Sequence, residues 1–409
     1  MRGLTLVELL AVIVIIGLLL GLSVSVFVRL QSGVTATSLQ DRLTTTIRAT
    51  RHHATSGGPG AFVVLFPSDA FSETSTSGSM MPIGGIQSFR FVPAAAWHCD
   101  RPSGSARLDG AFEINGSLRG SRFVPGLYGD GIQIDGSDEA LFPSPYSDKE
   151  RLDGKGALDK KTAARKTSCV EIASRSDLDI GLGMHIEIHV RIDRLPMTGT
   201  SYLLIRERAY YILVSPDWTV EAGTPNAWVA SDIRLPQGQW SKITLRMDRM
   251  AYELRIDDML AGTYVLNKDP AEGYRQELTT SEGPSLTTGP AGDCATGGTL
   301  YFGNPKGGGM TGVIDEVSIY RLEADDLLRD PDPTGGFGVD PERLSVIHFL
   351  PDGRLDVRRH SGGVALWFTR NKREYPTLIS LLGEVISSDP VDEGDTMADM
   401  RPFEPEAAP

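Results

Sequence analysis

Hydrophobic and polar positions change their period along the chain, and the first region is continuously apolar. Leu9 to Val28 is a run of twenty residues without a charge. At about 1.5 Å per residue, a helix of this length covers the roughly 30 Å hydrocarbon core of a bilayer. The pattern predicts a transmembrane helix over residues 4–30. Arg2 precedes it, so the positive-inside rule predicts a cytoplasmic N-terminus.

The second region has a helical period. Spacings of 3, 4, 4, 3 and 4 separate the mostly apolar positions Ala36, Leu39, Leu43, Ile47, Thr50 and Ala54. This stripe predicts an amphipathic helix. The glycine-rich segment 56–60 should end that helix, and Ala61 to Phe66 then predicts a short buried strand.

A third region, residues 86–328, follows a Ser-, Thr- and Gly-rich segment and has the period of two that strands show. Apolar and polar residues alternate in His185 to Asp193 and in Lys242 to Asp248. Tyr252, Leu254 and Ile256 continue the alternation after a three-residue link, which predicts a hairpin. Short alternating strands with frequent turn signals predict an all-β sandwich.

Strand patterns return after a linker over residues 329–343. Ser345 to Leu350 and Arg354 to Val357 predict a hairpin around Pro351-Asp352-Gly353, and two further runs follow in Val364 to Thr369 and Thr377 to Ile386. We expect residues 31–67 and 344–388 to share one small core, with the sandwich inserted between them. The predicted fold class is α+β: a long N-terminal transmembrane helix packed on a small antiparallel sheet, carrying an inserted jelly-roll sandwich.

Charge limits the partners of this 409-residue chain. The formal net charge is −13 and the pI about 5.1, so no basic surface is expected to bind nucleic acid. Residues 389–409 contain seven acidic residues and one arginine, and lack hydrophobic periodicity. This segment is predicted to be a disordered acidic tail.

The three cysteines, Cys99, Cys169 and Cys294, all fall inside the predicted sandwich. An extracytoplasmic location permits a disulfide. Our hypothesis pairs Cys169 with Cys294, although spacing alone leaves all three pairs open.

Candidate chemistry in the sandwich is sparse. Alternation places His185, Glu187 and His189 on one strand face, where they are weak candidates for metal ligands. The preferred interpretation is a solvated face opposite an apolar one. Asp315 and Glu316 are strand neighbours that point to opposite faces, which favours a structural role. No cofactor is predicted, while the sequence leaves room for a structural calcium ion.

The N-terminal flank resembles the prepilin motif, through Gly3, Leu4, Thr5 and Glu8 ahead of the apolar run. The resemblance implies that a prepilin peptidase cuts between Gly3 and Leu4. It also implies that Glu8 pairs with the new terminal amine of a neighbouring subunit during assembly. Leu4 stands where pilins usually have Phe, which leaves terminal methylation open.

The order of segments in residues 86–328 resembles the concanavalin A-like, laminin G-like jelly-roll family. The matching pieces are Ala96-Trp97-His98, Gly126 to Gly136, His185 to Asp193, Gln239 to Ile243, Tyr301-Phe302-Gly303 and Gly312 to Tyr320. The resemblance implies a module that binds glycan or protein more often than an enzyme.

Phe349-Leu350-Pro351-Asp352-Gly353-Arg354 resembles a hairpin of the H-type minor pseudopilins. The combined expectation is a non-catalytic minor pilin or pseudopilin that assembles through its N-terminal helix into a type IV pilus or a type II secretion pseudopilus. Its partners would be other pilins, the prepilin peptidase and the lipid bilayer, with glycan or protein bound by the sandwich. It would be a single-pass inner-membrane protein with its bulk outside the cytoplasm. The alternative is a carbohydrate-active enzyme on a pilin-type membrane anchor; the ligand, the choice between pilus and secretion system, and the copy number stay open.

Overall fold

The computed structural model divides the chain into two compact units, Met1–Ser88 with Asp325–Pro409, and Phe89–Ala324. The residues that it describes are 40–67, 81–100, 107–108, 110, 114–136, 168–197, 199–266, 297–306, 309–325, 328–329, 337–339, 346–360, 362–370, 373–387 and 391–392. We call the first compact unit the terminal unit and the second the central unit. Each is described by itself.

One α-helix, α1 (40–55), and a 3-10 turn at Ser176–Leu178 accompany the strands of the described chain. In chain order the strands are β1 (Ala61–Pro67), β2 (Met81–Trp97), β3 (Arg107–Leu108), β4 (Gly116–Arg119), β5 (Arg122–Pro125), β6 (Asp130–Ile134), β7 (Cys169–Ile172), β8 (Met184–Arg194), β9 (Ser201–Arg206), β10 (Tyr210–Val214), β11 (Thr219–Gly223), β12 (Trp228–Arg234), β13 (Trp240–Met247), β14 (Ala251–Ile256), β15 (Met259–Val265), β16 (Leu300–Gly303), β17 (Thr311–Ala324), β18 (Leu328–Arg329), β19 (Phe337–Val339), β20 (Val346–Phe349), β21 (Val364–Arg370), β22 (Arg373–Ile379), β23 (Val385–Ser387) and β24 (Val391–Asp392).

The terminal unit is built from both ends of the chain. The apolar stripe of α1 is buried, with Leu43 and Ile47 at most 1% exposed. It shares a core with β1 and with strands β20 to β23. β1 pairs antiparallel with β20, and β21, β22 and β23 pair in antiparallel succession. Neither the short helix nor the single strand β1 could bury enough surface alone, so the C-terminal strands complete this core.

Polar side chains of α1 fix the helix to the C-terminal segments. Gln40 Nε2 donates to the Pro376 carbonyl at 3.1 Å, and Arg48 Nη2 donates to the Val385 carbonyl at 2.9 Å. Each bond closes a sequence separation of more than 330 residues. The register of helix on strands is therefore set by directional bonds as well as by apolar packing.

The predicted hairpin after residue 344 forms with a very short second strand. β20 forms, and Leu355 pairs with Phe349 in a single antiparallel bridge. Backbone bonds flank the bridge, from the Leu350 N–H to the Arg354 carbonyl at 2.8 Å and from the Asp356 N–H to the His348 carbonyl at 3.0 Å. The buried His360 ring adds a side-chain bond, because its Nε2 accepts the His348 N–H at 3.0 Å.

The central unit is a β-sandwich, as predicted. Its first sheet has the order β15-β14-β13-β8-β17-β2, with β5 and β6 continuing beside β17; the second has the order β12-β11-β10-β9-β16-β7-β4-β3. One continuous core fills the space between the sheets. Ile186, Ile188 and Val190 of β8 lie in it, which confirms the alternation read from the sequence. The predicted hairpin is the β13–β14 pair, in which Met247 is opposite Tyr252.

The central unit begins and ends on neighbouring strands. Its first residue, Phe89, pairs with its last, Ala324, where β2 meets β17. In the terminal unit, Ser88 Oγ donates to Asp325 Oδ2 at 2.6 Å, and the Asp325 N–H donates to the Ser88 carbonyl at 3.0 Å. The chain therefore leaves and re-enters the terminal unit at adjacent points, which is the geometry that a domain insertion requires.

The predicted fold class is wrong for the described chain. We expected a long N-terminal helix; the described residues are mainly strand, and their single α-helix covers 40–55. The helix ends because Gly57 has φ +100°, and from Ala61 onward the described chain follows the period of a strand.

The predicted single-pass inner-membrane location also needs correction. No helix in the described ranges is long and apolar enough to cross a bilayer. α1 is amphipathic and carries charges at Asp41, Arg42 and Arg48. The predicted span over residues 4–30 lies outside the described residues, as do the prepilin leader 1–3 and most of the acidic segment 389–409.

Candidate functional site

The polar side of β8 is the most developed cluster of titratable groups in the central unit. We call it the β8 face and define it by His185, Glu187, His189 and Arg191, together with the neighbours that strand pairing places beside them. On β13 these neighbours are Arg246 opposite His185, Thr244 opposite Glu187, Lys242 opposite His189 and Trp240 opposite Arg191. On β17, Tyr320 is opposite His185. Directly opposite residues in antiparallel strands share a face, so the sequence prediction of one common face is fulfilled here.

His185 and Glu187 form a hydrogen-bonded pair. His185 Nε2 lies 2.9 Å from Glu187 Oε1, and the His185 ring stands between Phe91 and Tyr320, with centroid distances of 5.7 Å to each. Burial lowers the pKa of His185, while the bond from His185 lowers the pKa of Glu187. A neutral imidazole therefore donates its Nε2–H to an ionised carboxylate, and Nδ1 is left as an acceptor.

Solvent exposure corrects our interpretation of this face as a solvated surface. His185 is only 6% exposed and Thr244 5%. The interpretation of a solvated face holds only for Glu187 and Arg191, whose side chains are 30% and 32% exposed. The face has a buried end at His185 and an accessible end toward His189.

Aromatic rings continue the accessible end. Tyr128, which is 60% exposed, meets His189 edge-on at 6.0 Å between centroids. The Arg191 guanidinium lies over the Trp240 ring at 5.6 Å. These rings offer flat apolar surfaces beside polar groups, which is a combination typical of ligand sites.

A carboxylate that sequence analysis treated only as structural positions Tyr128. Asp315 is fully buried, and its Oδ2 accepts the N–H groups of Leu127 and Tyr128 at 2.8 and 3.0 Å. Its Oδ1 accepts the Glu316 N–H at 2.8 Å. Burial raises the pKa of Asp315. With its oxygens committed to backbone donors, Asp315 fixes the loop and is a poor acid or base.

A β-bulge in β17 places Asp315 where it can accept the N–H groups of Leu127 and Tyr128. The register of β17 on β8 shifts between Asp315 and Ser318, and Glu316 has φ +47°, which defines a β-bulge. Glu316 Oε2 lies 2.9 Å from His98 Nδ1. Gly126 to Gly136 and Gly312 to Tyr320 were both noted as family-like pieces, but nothing in the sequence showed that a side chain joins them.

The metal, disulfide and processing candidates have separate outcomes. Among the described residues, no three His, Cys, Asp or Glu side chains are placed to hold a metal ion. Cys99 and Cys169 are buried, and burial raises the pKa of both thiols. Cys294 lies outside the described residues, and so do Gly3, Leu4, Thr5 and Glu8, so the disulfide and the prepilin site stay predictions.

Comparisons with known proteins add little at this level of similarity. No family model and no curated protein matches the chain. Domain 4 of an extracellular arabinanase from Geobacillus stearothermophilus, in complex with arabinotriose, is 14% identical with a TM-score of 0.30, covering 67% of this chain and 96% of that one. The binding domain of Paraclostridial Mosquitocidal Protein 1 is 12% identical with a TM-score of 0.36, covering 60% and 50%. Trypanosoma rangeli sialidase with the inhibitor DANA is 10% identical with a TM-score of 0.35, covering 73% and 37%. Similarity at these TM-scores carries no argument, and the sandwich is established by its own strand pairing.

Proposed function

We propose that this protein is a pilin-like subunit that displays its central unit as a non-catalytic module binding glycan or protein. The observation that carries the proposal is the organisation of the chain. Both ends of the described chain build one core in the terminal unit, and the central unit leaves and returns at the paired residues Phe89 and Ala324. Such an arrangement adds a binding module to a subunit without interrupting the core of that subunit.

The prepilin-like segment at the N-terminus also supports the proposal. Gly3, Thr5 and Glu8 stand at the spacing that a prepilin peptidase reads, and Glu8 would pair with the terminal amine of the next subunit. A carboxylate and an amine brought together in a low-dielectric contact define register even when they add little net stability. This proposal makes Gly3 a processing residue and Glu8 an assembly residue.

The hydrogen bonds of Asp315 and Glu187 support a non-catalytic role. Asp315 accepts three backbone N–H groups, and Glu187 accepts the bond from His185. Most glycoside hydrolases use a pair of carboxyl groups that flank the scissile bond. Purified protein should therefore bind without turnover; release of reducing sugar from a bound glycan would favour the carbohydrate-active enzyme instead.

Processing is tested by the mass of the protein recovered from cells that contain a prepilin peptidase. The expected mature chain begins at Leu4, and Gly3→Trp should leave the full-length precursor. Glu8→Ala is the matched control, because it should be cleaved normally and then fail to assemble. Recovery of an intact Met1 in assembled material would refute the pilin-like assignment.

A further inference from the structure

The β8 face has unmet hydrogen-bonding capacity. Three of its polar atoms have no hydrogen-bond partner within the described ranges: His185 Nδ1, His189 Nδ1 and Thr244 Oγ1. His185 and Thr244 are more than nine-tenths buried. Buried polar groups in folded proteins are nearly always bonded, so these three atoms are exceptions in the interior of the face. They are covered by protein, and a ligand on the face would meet the accessible groups beside them, the Glu187 side chain at 30% exposure and Tyr128 at 60%.

Charge on this face selects the kind of molecule. The cations there already have carboxylate partners: Lys242 with Asp258 at 2.6 Å, Arg191 with Asp193 at 3.1 Å, and Arg246 with Asp248 at 3.2 Å. Glu187 faces a neutral imidazole and retains lone pairs for further donors. An anionic ligand would find these cations already paired with carboxylates and would be repelled by Glu187. The hydroxyl groups of a neutral ligand can instead donate charge-assisted hydrogen bonds to Glu187.

The shape of the face suits an extended ligand. Glu187 and Arg191, whose side chains are 30% and 32% exposed, are four residues apart on one strand, which separates them by about 13 Å. Tyr128 extends the accessible end with an exposed ring beside His189. A ligand with hydroxyl groups on its edges and an apolar ring face would use both kinds of surface.

We propose that the β8 face binds a neutral oligosaccharide, with Glu187 accepting from its hydroxyl groups and Tyr128 stacking against a sugar ring. His185 is a positioning residue, because its Nε2–H holds the Glu187 carboxylate in place. This inference rests on the proposed function in treating the central unit as a binding module, and it assigns the face and the class of ligand.

The test is binding of the full-length protein to immobilised neutral oligosaccharides, namely gluco-, manno-, galacto-, xylo- and arabino-hexaoses, with heparin hexasaccharide as the anionic probe. Calorimetry then gives Kd for each sugar retained. Glu187→Gln keeps the side-chain shape and removes the charge, and should weaken binding about ten- to hundred-fold, as expected for the loss of a charge-assisted bond. Glu221→Gln in β11 is the matched control, because that carboxylate also accepts a bond, from the Tyr211 hydroxyl at 2.7 Å, on the other sheet.

A second pair of variants separates loss of contact from loss of fold. Tyr128→Ala truncates an exposed side chain and leaves the backbone N–H that Asp315 accepts, so it should weaken binding at least tenfold at an unchanged melting temperature. Tyr264→Ala, which truncates a 44% exposed ring on the edge strand β15, is its control and should bind as the wild type does.

The outcomes are decisive in either direction. A neutral hexaose whose affinity falls in Glu187→Gln and Tyr128→Ala, but not in the two controls, supports the assignment. Binding that is unchanged in Glu187→Gln and Tyr128→Ala would place the ligand elsewhere and overturn it, while the module would still bind glycan. Retention of heparin alone, or of no sugar, would also overturn it. The pilin-like part of the proposed function is judged separately by the mass of the processed N-terminus.

Discussion

Acidification should destabilise the terminal unit through one histidine. His360 is 2% exposed, and its Nε2 accepts the His348 N–H, which only an unprotonated nitrogen can do. Burial lowers the pKa of His360 from 6.5 to about 4. The unfolded chain therefore binds a proton that the folded chain does not, between these two values. Stability is fully present above pH 6.5 and is lost as the pH falls toward 4.

The magnitude follows from the difference between the two pKa values. One pKa unit corresponds to about 1.4 kcal/mol, so protonation of His360 costs at most about 3.5 kcal/mol, of which roughly 2.5 kcal/mol is lost between about pH 7.5 and about pH 4.5. That amount is a large fraction of the stability of a small domain. Other groups titrate in the same range, so the quantity to measure is the difference from a variant that lacks this proton site.

Hydrogen exchange resolved by mass spectrometry is the appropriate assay, because peptides from β1 and β20 report opening of the terminal unit alone. His360→Gln keeps an acceptor and removes the titration, so its opening free energy should fall less than that of the wild type on acidification. His52→Gln, at an exposed position of α1, is the control and should follow the wild type. Equal pH slopes for the wild type and His360→Gln would refute the reasoning.

Three further variants test the packing described above. Ile47→Ala should lower the stability of the terminal unit by about 2–5 kcal/mol by leaving a cavity, while the exposed Arg42→Ala should change it little; exchange of β1 peptides measures both. Gly383→Ala should destabilise the same unit, because its φ is +76° and a Cβ would lie 2.0 Å from the Gly353 carbonyl oxygen, whereas Gly362→Ala meets open space; equal urea midpoints would contradict this. Asp315→Asn should cost about 1–3 kcal/mol in the central unit by leaving a buried N–H unpaired, and it should speed proteolysis of the Tyr128 loop; a wild-type melting temperature and cleavage rate would rule this out.

The spacing of apolar residues predicted those helices and strands whose buried side is made of their own apolar side chains. The stripe of α1 is recoverable from spacing alone, because Leu43, Ile47, Thr50 and Ala54 recur every three or four positions and all four are buried. β8 is recoverable for the same reason with a period of two.

Features that depend on a partner distant in sequence could not be read this way. The buried His360 ring accepts the N–H of His348, and Asp315 joins a loop that lies almost 190 residues earlier in the chain. In the candidate site, alternation correctly placed His185 beside Glu187, but it carries no information about burial of the ring between Phe91 and Tyr320. The exposure and the pKa of His185 depend on the side chains packed over its ring, and these belong to β2 and β17.

The paired ends of the central unit have a mechanical consequence. A pull applied to that unit through its two chain ends enters at Phe89 and Ala324, which are opposite one another on antiparallel strands. Load in this direction opens the β2–β17 ladder one residue pair at a time, starting at the pulled end, so the force never has to break all its bonds together. A protein loaded there yields gradually at modest force, and the opening reaches the sandwich core at Ala94, Ala95 and Trp97 of β2, which are buried in it.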